Sequence, residues 1–291
     1  MKRFFLINKI LFIASTLIVG FFHHALAYAD AHALHHHAGH ISAYTNRATM
    51  KLSVEKIVNR GEVKLVFIKL THIKTNQAIR LHDLREVHTQ KIHMLVIDDS
   101  LSDYSHVHPV ATSEPGVYQF TWEPKKRDAN YRIWADVVPE DSKQQEYLVA
   151  DLFSMKKTSS IVVPAESMQS FVGGYKFNLH FEPSYLELGK AVMGKITVSD
   201  LKGRLVHNLE PVMGAYAHIV GFNADFKSVV HIHPQGVEPS KASDRGGPKL
   251  EFYVNPSQIG FIKLFAQVKI KGKEIFVPFG IVVNPKRFSP V

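Results

Sequence analysis

The amino-acid sequence predicts an all-β protein: two tandem immunoglobulin-like β-sandwich domains after a signal peptide and a His-rich tail. Three observations lead there. Short segments rich in β-branched and aromatic residues alternate with period two between turn residues, and no stretch sustains a helical period. A gapless shift of 125 residues superposes His82 on His207, His93 on His218, His106 on His231 and His108 on His233, and Pro109 falls on Pro234, the mark of an internal duplication. The 291 residues, 45% of them apolar, suffice for two cores.

Taken in order, Met1–Ala29 opens with Lys2, Arg3 and Lys9, continues with the apolar run Ile10–Phe22 and ends in Ala25-Leu-Ala27 or Ala27-Tyr-Ala29. That is the layout of a secretory signal peptide over 1–29. The 13 residues after Lys9 fall short of the ~20 that span a bilayer, and no second apolar segment of that length follows. The expectation is export to a periplasmic or secreted location, with no transmembrane anchor after cleavage. Residues 30–42 follow as a His-rich flexible segment, with His32, His35, His36, His37 and His40, a tract able to capture Cu(II), Ni(II) or Zn(II) loosely.

The first sandwich is assigned to 43–163. Its seven strands are Ala48–Lys56, Glu62–His72, Lys91–Asp98, Ser105–Ala111, Val117–Glu123, Tyr131–Val138 and Glu146–Met155. A polar turn with Pro164 marks the linker near Ser159–Gln169. The second sandwich, 164–291, repeats the pattern in Tyr175–Phe181, Val192–Ser199, Ala215–Asn223, Ser228–His233, Leu250–Val254, Phe261–Ile270 and Glu274–Val283. Phe120, Trp122, Tyr131 and Trp134 read as core or rim, and His72 and His180, which have no repeat partner, as ordinary strand residues.

Composition removes several function classes. No cysteine is present, so disulfide scaffolds, thiolate zinc sites, Cys nucleophiles and iron–sulfur clusters are excluded. Lys plus Arg exceed Asp plus Glu by 35 to 26; without the three cations of 1–29, which hold no acid, the balance is 32 to 26, or +6. The excess is spread out, with no basic block and no Gly-rich phosphate loop, so no nucleic-acid partner is expected. Eighteen histidines are the anomaly.

Side chains alternate across a strand, so His106 and His108 point to one face around Val107, as do His231 and His233 around Ile232. His93 lies on the preceding strand, and a hairpin through Asp98–Asp103 sets it opposite His106 or His108, within reach of one shared ion. His218 makes the same arrangement with His231 and His233. The expectation is one three-imidazole site per repeat. His82 and His207, eleven residues earlier, are each candidates for a fourth nitrogen, and His88 is a further candidate whose repeat equivalent is Met213. Asp98, Asp99 and Asp103 are candidates to orient the imidazoles or close the coordination sphere.

Gln90-Lys-Ile-His-Met-Leu-Val-Ile-Asp-Asp99, Ser105-His-Val-His-Pro109, Gly116-Val-Tyr-Gln-Phe120 and Tyr131-Arg-Ile-Trp-Ala-Asp136 resemble the exported YtkA-like domains, relatives in general shape of CopC-type copper carriers. The second copy echoes them in Ala217–Phe222, Val230–Pro234, Phe261–Phe265 and Pro278–Val282, so the resemblance covers most of 43–284. It implies immunoglobulin-like sandwiches that handle metal at the cell envelope, with His93, His106, His108 and His88 carried over in the first copy and His218, His231 and His233 in the second. Met213 departs from that pattern. The resulting expectation is an exported, non-enzymatic protein that binds copper, or zinc second, and buffers the ion or passes it to an envelope transporter or acceptor. The alternatives are a structural or partner-binding tandem protein and a metal-dependent hydrolase using an open three-His site.

Overall fold

The computed structural model describes residues 39–40, 48–153, 162–232 and 234–286. The segment read as a signal peptide, most of the His-rich tail and His233 lie outside the described residues.

β1 (Gly39–His40) runs parallel to the edge of the second domain, pairing Gly39 with Val254. The first domain contains β2 (Met50–Arg60), β3 (Val63–His72), β4 (His93–Asp98), β5 (Tyr104–Val107), β6 (Val110–Ala111), β7 (Val117–Trp122), β8 (Tyr131–Val137) and β9 (Glu146–Phe153). They form two four-stranded sheets, β2-β3-β7-β6 and β5-β4-β8-β9. The second contains β10 (Gln169–Val172), β11 (Tyr175–Glu182), β12 (Leu186–Glu187), β13 (Val192–Asp200), β14 (His218–Asn223), β15 (Val229–Ile232), β16 (Lys249–Asn255), β17 (Gly260–Ile270) and β18 (Lys273–Asn284). Its sheets are β1-β16-β13-β11-β10 and β12-β18-β17-β14-β15. Two tandem immunoglobulin-like sandwiches result, in which β4, β5, β8 and β9 correspond to β14, β15, β17 and β18.

Each sandwich has a core between its two sheets, around Val66, Ile68, Met94, Val96, Tyr118 and Ile133 in the first and Phe177, Ile196, Ile219, Phe252, Leu264 and Val277 in the second. β16 throughout and β13 as far as Val198 bury every second residue, as strands with one wet face must. β4 and β14 do not alternate: all six residues of each are buried. Their second face is covered by the other repeat. Leu95, Ile97, Tyr104 and Trp134 of the first repeat pack with Val220, Phe222, Val229 and Phe265 of the second in a third apolar cluster. Tyr104 stacks on Phe265 with ring centroids 4.9 Å apart, and the Arg132 guanidinium lies 4.8 Å over the Phe226 ring. His93 and His218 share strand parity with these interface residues and therefore lie on the same face.

One predicted strand divides. Ser105–Ala111 is broken at His108 and Pro109 into β5 and β6, which belong to different sheets, because proline has no N–H with which to continue the ladder.

Candidate metal centre

The outward faces of β4, β5, β14 and β15 bring the two histidine sets together. The ladder pairs Met94 with Val107 and Leu95 with His106, so its continuation sets His108 opposite His93 and His106 on the diagonal. His93 and His106 have ring centroids 5.3 Å apart, and His218 and His231 are 5.4 Å apart. Across the repeats, His93 and His231 are separated by 5.3 Å, His106 and His231 by 5.3 Å, His106 and His218 by 5.9 Å, and His93 and His218 by 6.3 Å. Four imidazoles, each at most 8% exposed, therefore adjoin one another at the junction of the repeats. His108 adjoins them, 4.9 Å from His106 and 5.2 Å from His93, and His88 lies 5.8 Å from His218.

Each of the four rings has one nitrogen tied to an oxygen outside the cluster. His93 Nε2 meets the Val87 carbonyl at 3.0 Å, and His218 Nε2 meets the equivalent Val212 carbonyl at 3.1 Å. His106 Nδ1 meets Gln267 Oε1 at 2.9 Å, and His231 Nδ1 meets Asp136 Oδ2 at 2.8 Å. These last two cross between repeats in opposite directions, since Asp136 on β8 and Gln267 on β17 pair respectively with His93 and His218. The correspondence is that of an isologous interface built within one chain.

Counting protons determines what the inner nitrogens present. Gln267 Nε2 donates to Glu274 Oε2 at 2.7 Å, which leaves Gln267 Oε1 as the acceptor facing His106. A neutral imidazole has one N–H, and His106 and His93 each spend it outward, on Gln267 and on Val87. His93 Nδ1 and His106 Nε2 then face each other at 3.1 Å with no proton between them. Burial, and then the neighbouring His231, His93, His218 and His108, hold His106 well below the usual imidazole range, so a proton is disfavoured as the cation that fills this gap. His218 Nδ1 and His231 Nε2 repeat the contact at 3.2 Å, and both rings are likewise held well below the ordinary range, chiefly by burial. Asp136 is pushed up to about 6 by burial, against the opposing effects of His93 and Gln145, and is a carboxylate at pH 7 beside a neutral His231. Tetrahedral nitrogens at 2.0–2.1 Å from a zinc-sized ion stand roughly 3.3 Å apart. The inner contacts have that spacing, and outward hydrogen bonds of this kind are what fix metal-binding histidines. Among the described residues, His93, His106 and His108 form the set of three whose ligand nitrogens lie within 4.8 Å of one another, and His108 Nε2 is buried without a hydrogen-bond partner.

Residues 42–151 and 170–285 each match the family described as "Domain of unknown function (DUF8832)". The chain belongs to this family. It carries two copies of the DUF8832 domain, one per sandwich. No curated protein matches the chain. Among solved structures it is similar to the Escherichia coli adhesin FdeC, at 13% identity over 84% of this chain and 65% of that one, with a TM-score of 0.23. MtrC from Shewanella baltica OS185 matches at 6% identity over 83% and 71% of the two chains, with a TM-score of 0.26, and Rst D1-D2 at 12% over 81% and 100%, with 0.23. Likeness at this level says nothing about function.

Of the sequence-predicted residues in this member of the DUF8832 family, His93, His106, His108, His218, His231 and His88 gather at the junction, while His233 lies outside the described residues. The three-imidazole set expected in the first repeat, His93, His106 and His108, is brought together, while the set of the second includes His233; the faces that carry the two sets are packed against each other, so His218 and His231 adjoin the first set. His82 and His207 are not in the cluster. Both are exposed, and His82 Nε2 lies 3.3 Å from Asp83 in a 3-10 turn, because both precede the strands that aim side chains inward. Asp98, Asp99 and Asp103 do not orient imidazoles either. Asp98 is at the far end of β4 from His93, where its carboxylate accepts backbone hydrogen bonds from Ser100, Ser102 and Asp103 and shapes the turn. Sequence reasoning missed Asp136 and Gln267, which orient the rings from the other repeat; the only signal was a polar residue within a largely apolar strand in each copy.

Proposed function

We propose that this chain is an exported metal-binding protein that holds a single Cu(II) or Zn(II) ion between its repeats and buffers it or passes it to an acceptor in the cell envelope. One observation carries the reading: His93 Nδ1 and His106 Nε2 face each other at 3.1 Å while the other nitrogen of each ring is spent on an oxygen. Two buried lone pairs at that distance repel unless a cation lies between them. Four imidazoles without thiolate suit Cu(II) and Zn(II) better than Cu(I), and the divalent affinity order favours copper. The Asp136 carboxylate offsets part of the ion's charge. Export, the envelope location and the acceptor rest on the signal-like N-terminus and the resemblance to YtkA-like domains.

The test is a titration of the full chain with Cu(II) and Zn(II), counting tightly held ions. A shared centre predicts one such ion beyond the His-rich tail, lost equally in His106→Ala and in His231→Ala. Independent sites predict two, with one surviving each substitution. No tightly held ion would leave the histidines as a hydrogen-bonded junction, the second reading: protonation of Asp136 completes one chain, Asp136–His231–His218–Val212, with three protons, and a further proton between His93 and His106 is needed to complete the other.

A further inference from the structure

The approaches to the imidazole cluster differ between its two sides. On one side, a cavity of about 20 Å³, room for one water, is lined by Val87, His93, Asp136, Gln145 and His231, with the cations Arg85 and Lys91 at its edge. Lys91 Nζ is held by the carbonyls of Leu81 and Leu84, both at 2.9 Å, and so stays in place beside this side. On the corresponding side of the other repeat, a cleft of about 330 Å³ opens onto His106 and His108, between Val212, Met213, Gln267, Lys269 and Glu274.

The duplication has exchanged an acid and an amide between these sides. In the closed one the carboxylate, Asp136, is buried against His231 and the exposed Gln145 amide donates to it from outside. In the open one the amide, Gln267, is buried against His106 and the carboxylate, Glu274, is exposed at the rim. Negative charge therefore neutralises the centre from one direction and is displayed to incoming cations in the other. His108 stands at the inner end of the open cleft. It is half-buried, while the four central rings are buried, and its Nε2 has no hydrogen-bond partner. The remaining charged lining residue, Lys269, is paired with Glu274 across β17 and β18.

We infer that divalent metal enters and leaves through the cleft between Met213 and Glu274, and that His108 is the relay ligand that takes the ion from the rim and delivers it to His93 and His106. This rests on the proposed metal centre. A relay ligand lowers the barrier in both directions, so it changes exchange rates far more than equilibrium affinity. Met213 places a thioether beside the same route, available to a softer ion during transfer.

The experiment is stopped-flow exchange on the full chain, with Zn(II) as the incoming ion and EDTA as the extractant, comparing wild type with His108→Gln and Glu274→Gln. His108→Gln is expected to retain one ion at near wild-type affinity while capture and release both slow by at least about 10-fold, which is a barrier about 1.4 kcal/mol higher in both directions. Glu274→Gln, at an exposed position that does not threaten folding, is expected to slow capture by about 10-fold at low salt, with the difference shrinking as ionic strength rises. Wild-type exchange rates in both variants would overturn the route. Loss of the ion in His108→Gln would overturn the relay and make His108 a resident ligand. A wild-type chain that holds no ion would refute the metal centre itself, a failure visible before any variant is made.

Discussion

Replacing Asp136 with asparagine separates the charge of the centre from its shape. In the metal-free protein, burial raises this carboxyl from the ordinary 3.8 to about 6. The difference corresponds to about 3 kcal/mol at 1.36 kcal/mol per tenfold change in proton affinity. The folded pKa is raised, so the stabilising contribution of the protonated form is complete below pH 3.8 and lost as pH rises through about 6. The substituted amide stays neutral at every pH: its oxygen accepts from His231 Nδ1, and Gln145 can turn its own amide to receive the new N–H. Metal-free Asp136→Asn should therefore be more stable than wild type at pH 7.5, by up to about 3 kcal/mol, with the advantage shrinking between pH 6 and 4. Metal should act in the opposite sense. Without the carboxylate, affinity should fall roughly 10–100-fold, so saturating Zn(II) should stabilise the variant by about 1.4–2.7 kcal/mol less than wild type. Urea unfolding in EDTA and in excess Zn(II), at pH 4.5, 6 and 7.5, reads both effects. A metal-free variant less stable than wild type at pH 7.5, with an undiminished gain from metal, would refute the account of Asp136 as a buried charge held ready for a cation.

Protons compete for the same nitrogens, but His106, His218 and His231 are held well below the usual imidazole range by burial, and His108 is lowered to about 4, by burial first and then His93. Metal should therefore be retained as pH falls past 6.5 and released only at lower pH, as followed by metal release to a chromogenic chelator; release complete by pH 6.5 would contradict the burial of the rings. Trp134→Ala empties the apolar junction beside Phe222 and Phe226 and should cost about 3–5 kcal/mol, with metal affinity falling too because this packing holds the two histidine sets against each other. Calorimetry with and without metal checks both. His82→Ala and His207→Ala, at exposed positions away from the cluster, should leave the number of bound ions and the unfolding midpoint unchanged in the same measurements.

Period-two alternation in segments such as Val192–Asp200 was sufficient to specify strands, because a one-faced sheet writes its burial directly into sequence. The 125-residue offset likewise specified two copies of one domain and singled out His93, His106, His218 and His231, which meet at the junction. It also drew in His82 and His207, since duplication preserves loop residues along with those of the strands. How the copies meet was beyond local pattern. The apolar runs Met94–Ile97 and Ile219–Phe222 were signs that β4 and β14 bury both faces, yet nothing in them says that each second face meets the other. Only that packing merges two histidine sets into one cluster, brings Asp136 to His231 across 95 residues and Gln267 to His106 across 161, and leaves one side of the cluster open. Periodicity and spacing are properties of neighbouring residues, whereas the orientation of every ring here depends on an acceptor supplied from a distant part of the chain.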